Sequence, residues 1–429
     1  MSRAVKLVGC LAALAACVAV AVGCGGGDDG GGSSDSGTLT ISSYDLGGAP
    51  DPLDKAIAGF EKENPDVKVE VKRTAFTQYA QALRQQLSTN QAPDLARTAL
   101  GYGEASSATV LAEKGLLADF GDASWIGEIP DQSKSSTSDE SGTFAFPVDS
   151  SAIGIFYLPG VLKEAGVELP KTFADVLAAC EAGGGGKVVF ALGANETSGM
   201  PLFLLDSLVA STAYAEDPEF GEKRLADEVT FADSKGWQEA LTQFEEMSEA
   251  GCFDKNAVGI SQEQASLELS QGKALMAVSL TVTLPLFQAG KPSEELKMAP
   301  FPGNVDAAQV RVPNAPVDGY VIPKRGGDPE LAEAFIEYYA EHRGEFAQVD
   351  ESIPAIPLGE GEASVPKYAA ELEPFIEAGK VAPFAQNEWP NPEEQVAAAQ
   401  GLVEIMLGAI EPDDVLAKMD SIWTGPGEE

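Results

Sequence analysis

Apolar residues recur along this chain in two alternating rhythms. Leu39-Thr40-Ile41 reads as a buried strand that runs into the polar Ser42-Ser43-Tyr44-Asp45, and Gly47-Gly48 break it. Leu53, Ile57 and Phe60 then fall at helical spacing between Asp51 and Asn64, and Pro65 stops that helix. Val67, Val69 and Val71 alternate as a strand does, and Tyr79, Leu83 and Leu87 mark a second helix, closed by Pro93. This alternation predicts an α/β lobe whose ligand-facing loops lie at the carboxyl ends of the strands.

Further on, Phe146-Pro147-Val148 and Ile153–Tyr157 are apolar strands separated by Asp149, Ser150 and Ser151. That pattern predicts a chain crossing from one lobe to another. Lys171-Thr172-Phe173 opens a helix reaching Cys180, Gly183–Gly186 makes a flexible turn, and Lys187–Leu192 is a buried strand. Trp237, Leu241 and Phe244 form a helical stripe, Leu275–Leu280 is strand-like, and Leu331, Phe335 and Tyr339 give a late helix begun by Asp328-Pro329.

The first residues follow a different rule. A short basic start (Arg3, Lys6) precedes the apolar stretch Leu7–Val22 and the small-residue junction Ala21-Val22-Gly23-Cys24. This order predicts a secretory signal over residues 1–23. A cysteine at the cleavage point resembles a bacterial lipobox, which implies lipidation of Cys24; an uncleaved membrane anchor is the alternative. Residues 24–37 (CGGGDDGGGSSDSG) hold nothing that could form a core and read as a flexible tether. Either way the body lies outside the cytoplasmic membrane.

The remaining ~390 residues exceed one ordinary core, so two lobes are expected. A formal net charge of −39 argues against nucleic acid or an anionic membrane as ligand. Of five cysteines, Cys180 and Cys252 are left for the body, either as a disulfide suited to an oxidising compartment or as small buried thiols.

Several segments, taken in order, resemble the bacterial extracellular solute-binding protein family 1, which includes maltose-binding proteins. They are Phe60-Glu61-Lys62-Glu63-Asn64-Pro65 before Val67–Val71, Ala92-Pro93-Asp94, Leu111–Leu117, and Phe146-Pro147 with Tyr157. Ala165-Gly166, Pro170–Phe173, Gly251-Cys252-Phe253-Asp254, Gln271–Met276, Asp318-Gly319-Tyr320 and Ala334-Phe335-Ile336 complete the series. The resemblance runs from Thr38 to the C-terminus. It implies a two-lobed periplasmic-binding-protein-like fold with a hinge and a ligand cleft between the lobes. Residues 38–150 plus 320–354 would form the N-terminal lobe, and 151–319 plus 355–429 the C-terminal lobe. The implied partners are a small solute, most readily a sugar, and the permease subunits of an ABC importer. The chain would act as a monomer without cofactor or metal.

Carried over position by position, the resemblance points to Ser43, Tyr44 and Asp45 after the first strand, and to Thr98, Gly101 and Tyr102 after Pro93-Asp94. Asp149 and Ser151 lie at the crossover. Glu196, Thr281, Asp318, Gly319 and Trp389 are expected from the second lobe, with Trp389 as a stacking face for a sugar ring. Asp45, Asp149 and Asp318 would equally suit a cationic solute such as a polyamine. The main enzymatic alternative is an extracytoplasmic glycoside hydrolase, which needs only two carboxylates. Nucleophilic triads would depend on His342, the only histidine, which reads as a surface residue at a helix end. No Gly-x-Ser-x-Gly elbow, His-Glu-x-x-His pair or zinc-type cysteine–histidine spacing is present.

Overall fold

A computed structural model of the protein describes residues 37–45, 51–89, 91–103, 105–195, 199–347 and 365–425. The expected signal, Cys24, Glu196 and the boundary near Pro354 lie outside the described residues. So does the tether, apart from Gly37, which already belongs to the first strand.

Strand β1 (Gly37–Asp45) buries Leu39 and Ile41 and pairs in parallel with β2 (Val67–Ala75). The connection is α1 (Pro52–Glu63), which starts with a proline whose missing N–H costs nothing there. Asp51 caps it, accepting from the Leu53 N–H at 3.1 Å. Helix α2 (Phe76–Ser88) returns the chain to β3 (Leu95–Ala99), which is parallel to β1. After β4 (Phe146–Pro147) the chain leaves this sheet through residues 148–150 and enters a second one as β5 (Ser151–Tyr157), buried at every position.

In the second sheet region α3 (Phe173–Glu181) begins with a capping box between Thr172 and Asp175. The turn Gly183–Gly186 follows, all four glycines at positive φ, then β6 (Val188–Phe190). Helix α4 (Met200–Ser211) is apolar on nearly every face and accordingly buried. Helix α5 (Lys235–Glu249) places Trp237, Leu241 and Phe244 in the core. Strands β7 (Ala274–Leu280), β8 (Lys297–Ala299) and β9 (Val312–Ala315) follow. The chain then recrosses through residues 316–317 into β10 (Asp318–Val321), two residues ahead of the expected return at Tyr320. Helix α6 (Pro329–Ala347) packs on the first sheet; β11 (Val381–Ala382), α7 (Pro392–Met406) and α8 (Pro412–Ile422) pack with the second.

The first sheet has the order β2-β1-β3-β10-β4, and the second β11-β9-β5-β7-β6, with β8 also paired to β5. Leu39, Phe60, Phe146, Phe335 and Tyr339 fill one face of the first sheet, and Tyr79, Leu83, Leu111 and Val321 the other. A separate, larger core surrounds the second sheet.

Three local expectations resolve here. Cys180 and Cys252 form a disulfide, tying the end of α3 to the segment after α5. His342 lies inside α6 rather than at its end, stacked on Tyr338 with ring centroids 4.3 Å apart, so the helix-end reading is corrected. Gly319, expected at the ligand, instead lets β4 approach: a Cβ there would sit 2.3 Å from the Phe146 carbonyl oxygen. Gly319→Ala should therefore lower unfolding free energy by about 1–3 kcal/mol in urea titrations. An unchanged midpoint would show that the sheet yields at this point.

Candidate functional site

Strand direction decides which side chains meet. Because β1, β3 and β4 all end where the antiparallel β10 begins, Ser43–Asp45, Thr98–Ala99, Asp149 and Asp318 share one edge of the first sheet. The second sheet presents its matching edge at the start of β5 and the end of β9, where Ser151 pairs with Ala315. The crossings at residues 148–150 and 316–317 therefore both run through this region, the usual position for a ligand in an α/β fold.

An ion network organises the first edge. Arg97, on β3, sets Nε 3.0 Å and Nη2 2.9 Å from Asp318 Oδ2. The Tyr44 hydroxyl donates to that same oxygen, and the Arg97 guanidinium lies 4.4 Å over the Tyr44 ring. Arg97 Nη1 is 3.5 Å from Asp51 Oδ1, while Arg73 Nη2 reaches Asp51 Oδ2 at 3.1 Å. Burial works against the Arg97 charge, but Asp318 outweighs it, and the guanidinium is held well above its ordinary value. Burial, reinforced by Asp318, pushes the Tyr44 phenol well above its ordinary value, so it stays a donor. The Tyr79 hydroxyl lies 2.9 Å from the Ser42 carbonyl oxygen and 2.6 Å from that of Arg97, bridging β1 and β3.

Around the crossings, several buried polar atoms have no hydrogen-bond partner among the described residues. They include Ser43 Oγ, Ser151 Oγ, Asp318 Oδ1 and Asn387 Nδ2. Asn387 belongs to the loop before α7, yet its carbonyl oxygen accepts from Tyr102 N–H at 3.0 Å. Gly101 makes that approach feasible: its φ is +70°, and a Cβ would lie 2.5 Å from Asn387 O. The loop after β3 and the loop before α7 thus touch directly across the two sheets. Native proteins seldom leave buried polar groups unsatisfied, so those on residues that flank the crossings are candidates for contact with a ligand.

The family model described as "Bacterial extracellular solute-binding protein" matches residues 47–345. The chain belongs to this family. Among solved structures, a family 1 extracellular solute-binding protein from Bifidobacterium longum subsp. infantis superposes with a TM-score of 0.73 at 21% identity. That match covers 90% of this chain and 98% of the other, and it shows a shared two-lobed fold. A melibiose/raffinose/stachyose-binding protein of Bacillus subtilis is 28% identical over 148 residues, 33% of this chain and 32% of the relative. A multiple sugar-binding protein of Streptococcus mutans is 22% identical over 252 residues, 58% and 59% of the two chains. The match thus spans about a third and about three-fifths of these curated relatives.

Within this solute-binding protein the expected residues separate into groups. Ser43, Tyr44, Asp149, Ser151 and Asp318 gather at the crossings, whereas Asp45 is exposed at the end of β1. Asp318 and Gly319 belong to β10 in the first sheet, which corrects their assignment to the second lobe. The Thr98 hydroxyl is committed to the Ser106 carbonyl oxygen, and Thr281 Oγ1 accepts from the Ala152 N–H at 3.2 Å. Both therefore shape the edge through backbone bonds. Gly101 and Tyr102 serve the contact with Asn387, and the Tyr102 hydroxyl turns to Glu113 at 2.7 Å.

Trp389 is the clearest correction. Its ring is 3% exposed and packs with those of Phe231 and Trp237, at centroid distances of 6.1 and 6.2 Å. A ring buried to this extent presents no open face to a sugar, so Trp389 packs as a core residue. Arg97, Asp51 and Asn387 were missed. Arg97 had a legible signal, as the one charged side chain within β3.

Proposed function

We propose that this solute-binding protein is the extracytoplasmic receptor of an ABC importer and that it captures a carbohydrate by closing its two lobes. Its attachment to the membrane would be through lipidated Cys24, and its partners would be the permease subunits. The lobes follow the two sheets, hinged where the chain crosses at residues 148–150 and 316–317. The observation that carries the reading is that Ser43 Oγ, Ser151 Oγ and Asp318 Oδ1, on residues flanking those crossings, and Asn387 Nδ2, on the loop that meets Tyr102, are buried without a hydrogen-bond partner among the described residues. Hydroxyls, one carboxylate oxygen and an amide suit a ligand that both donates and accepts at close spacing, as a sugar does. The two curated relatives, both named for sugar binding, support the same class. In this reading solute contacts both lobes and thereby favours the closed arrangement.

The test is thermal unfolding of the full-length protein in mild detergent against melibiose, raffinose, stachyose, maltose and spermidine. A bound sugar at a hundred times its dissociation constant should stabilise the fold by about 2.7 kcal/mol. A shift with spermidine alone would replace the carbohydrate by a cationic solute. Release of reducing sugar from any of the glycosides would instead favour a hydrolase.

A further inference from the structure

We propose that Arg97 is a specificity-determining positioning residue, which draws Tyr44 and itself onto one oxygen of Asp318 so that the other accepts a single hydroxyl of a neutral sugar. The inference rests on the carbohydrate reading above. Three donor groups, the Tyr44 hydroxyl and Arg97 Nε and Nη2, converge on Asp318 Oδ2. Oδ1 of the same carboxylate has no partner among the described residues, although Asp318 is only 6% exposed. Leaving an acceptor bare at such depth is unfavourable unless something else donates to it.

Arg97 is poorly placed to relax this asymmetry. Its third nitrogen, Nη1, faces Asp51, whose carboxylate also caps α1 and takes Arg73, and its planar face rests on Tyr44. A guanidinium held by Asp51 and Asp318 and stacked on a ring keeps its fork fixed. Asp318 Oδ2 is therefore fixed, and the direction of Oδ1 with it.

The charge follows the same geometry. An ammonium solute would have to share the Asp318 carboxylate with a guanidinium already beside it, and the two cations repel. A hydroxyl donates to Oδ1 without that conflict. Arg97 thus biases the site toward neutral polyols while making no contact with the solute itself.

The experiment is calorimetric titration of melibiose, raffinose, stachyose and spermidine into the full-length protein in mild detergent. Wild type, Asp318→Asn, Tyr44→Phe, Arg97→Lys and the Arg97→Lys/Asp318→Asn double variant are compared. Asp318→Asn should weaken sugar binding about 10- to 100-fold. Arg97 holds the amide oxygen at Oδ2, so an uncharged amide nitrogen replaces Oδ1 and the sugar hydroxyl loses the carboxylate acceptor to which it donates. Tyr44→Phe, which removes one donor and little volume, should weaken binding a few-fold. Arg97→Lys should weaken it about 10-fold alone but add nothing in the Asp318→Asn background, which a merely structural arginine would not do.

If a sugar binds wild type and Asp318→Asn equally, the proposal fails while the receptor reading stands. Additive losses in the double variant would equally overturn the positioning role. Should Arg97→Lys not fold, unchanged sugar affinity in Tyr44→Phe and Asp318→Asn together would still refute it. Binding of spermidine alone, or of none of the four solutes, would overturn the carbohydrate reading and this inference with it.

Discussion

Replacing Cys180 and Cys252 together by alanine is expected to remove about 4 kcal/mol of stability, the loop-closure entropy that a cross-link spanning 72 residues takes from the unfolded chain. The bond lies deep in the second lobe, with Cys180 and Cys252 both buried. Cys252 is also held by its backbone: its N–H donates to the Met247 carbonyl at 3.0 Å, and its carbonyl accepts from Phe190 N–H at 2.9 Å. The disulfide therefore fixes α3 and the end of α5 against strand β6. Guanidinium titration of the double variant beside the parent checks the expectation. A loss below about 1 kcal/mol would mean that the unfolded chain already brings these segments together, as residual structure in denatured states can do. The bond also suits a protein working outside the cytoplasm, where disulfides persist.

The second large effect is a stability that falls as pH rises from about 5 to 8. Three buried carboxyls under and beside the Asn387 loop cause it. Burial raises Asp206 to about 8, although it accepts from Ala385 N–H at 3.0 Å. Burial likewise raises Glu388 to about 7 against the opposing bond from the Tyr214 hydroxyl at 2.7 Å, and raises Glu394 to about 8 despite Arg224. Unfolded carboxyls titrate near pH 4. Between that value and 7–8 the folded state consequently holds more protons than the unfolded chain. Their contribution is complete below about pH 4 and is lost as pH rises through 7–8, at about 1.4 kcal/mol per pH unit for each carboxyl kept neutral.

Asp94 works in the opposite sense. Burial disfavours its charge, but bonds from Thr40 and from the N–H groups of Asp328 and Gly327 outweigh that and lower it below the ordinary value. Its contribution is present above the ordinary carboxylate range and disappears as pH falls through its lowered value. Maximum stability is thus expected near pH 5, and the net charge of −39 adds repulsion on the alkaline side. Calorimetry should give a higher unfolding temperature at pH 5.5 than at pH 8. An Asp206→Asn/Glu388→Gln variant should flatten that slope. A parent profile flat from pH 5.5 to 8 would show that these carboxyls are neutralised by other means.

Much of the fold was legible because its determinants are local. The stripe of Leu53, Ile57 and Phe60, bounded by Asp51 and Pro65, became α1, and the alternating valines became β2. The polar interruption at Asp149–Ser151 marks the place where the chain changes sheets, because small polar residues suit a segment that belongs to neither core. Period, cap and breaker act within a few residues, so they can be read along the chain.

The site obeys a different rule. Asp318 meets Tyr44 from 274 positions away and Arg97 from 221, and only the antiparallel pairing of β10 with β3 brings them to one edge. Trp389 illustrates the same dependence. A tryptophan before a proline is equally compatible with a sugar-stacking face and with a core, and the packing of Phe231 and Trp237 settles which it is. The sequence by itself determined the element order, the α/β class and the family resemblance, because short-range periodicity and capping carry that information. Only the tertiary structure decided which polar atoms share the crossings, whether Cys180 and Cys252 are bonded and which acids are buried, because each depends on the packing of residues far apart in the chain.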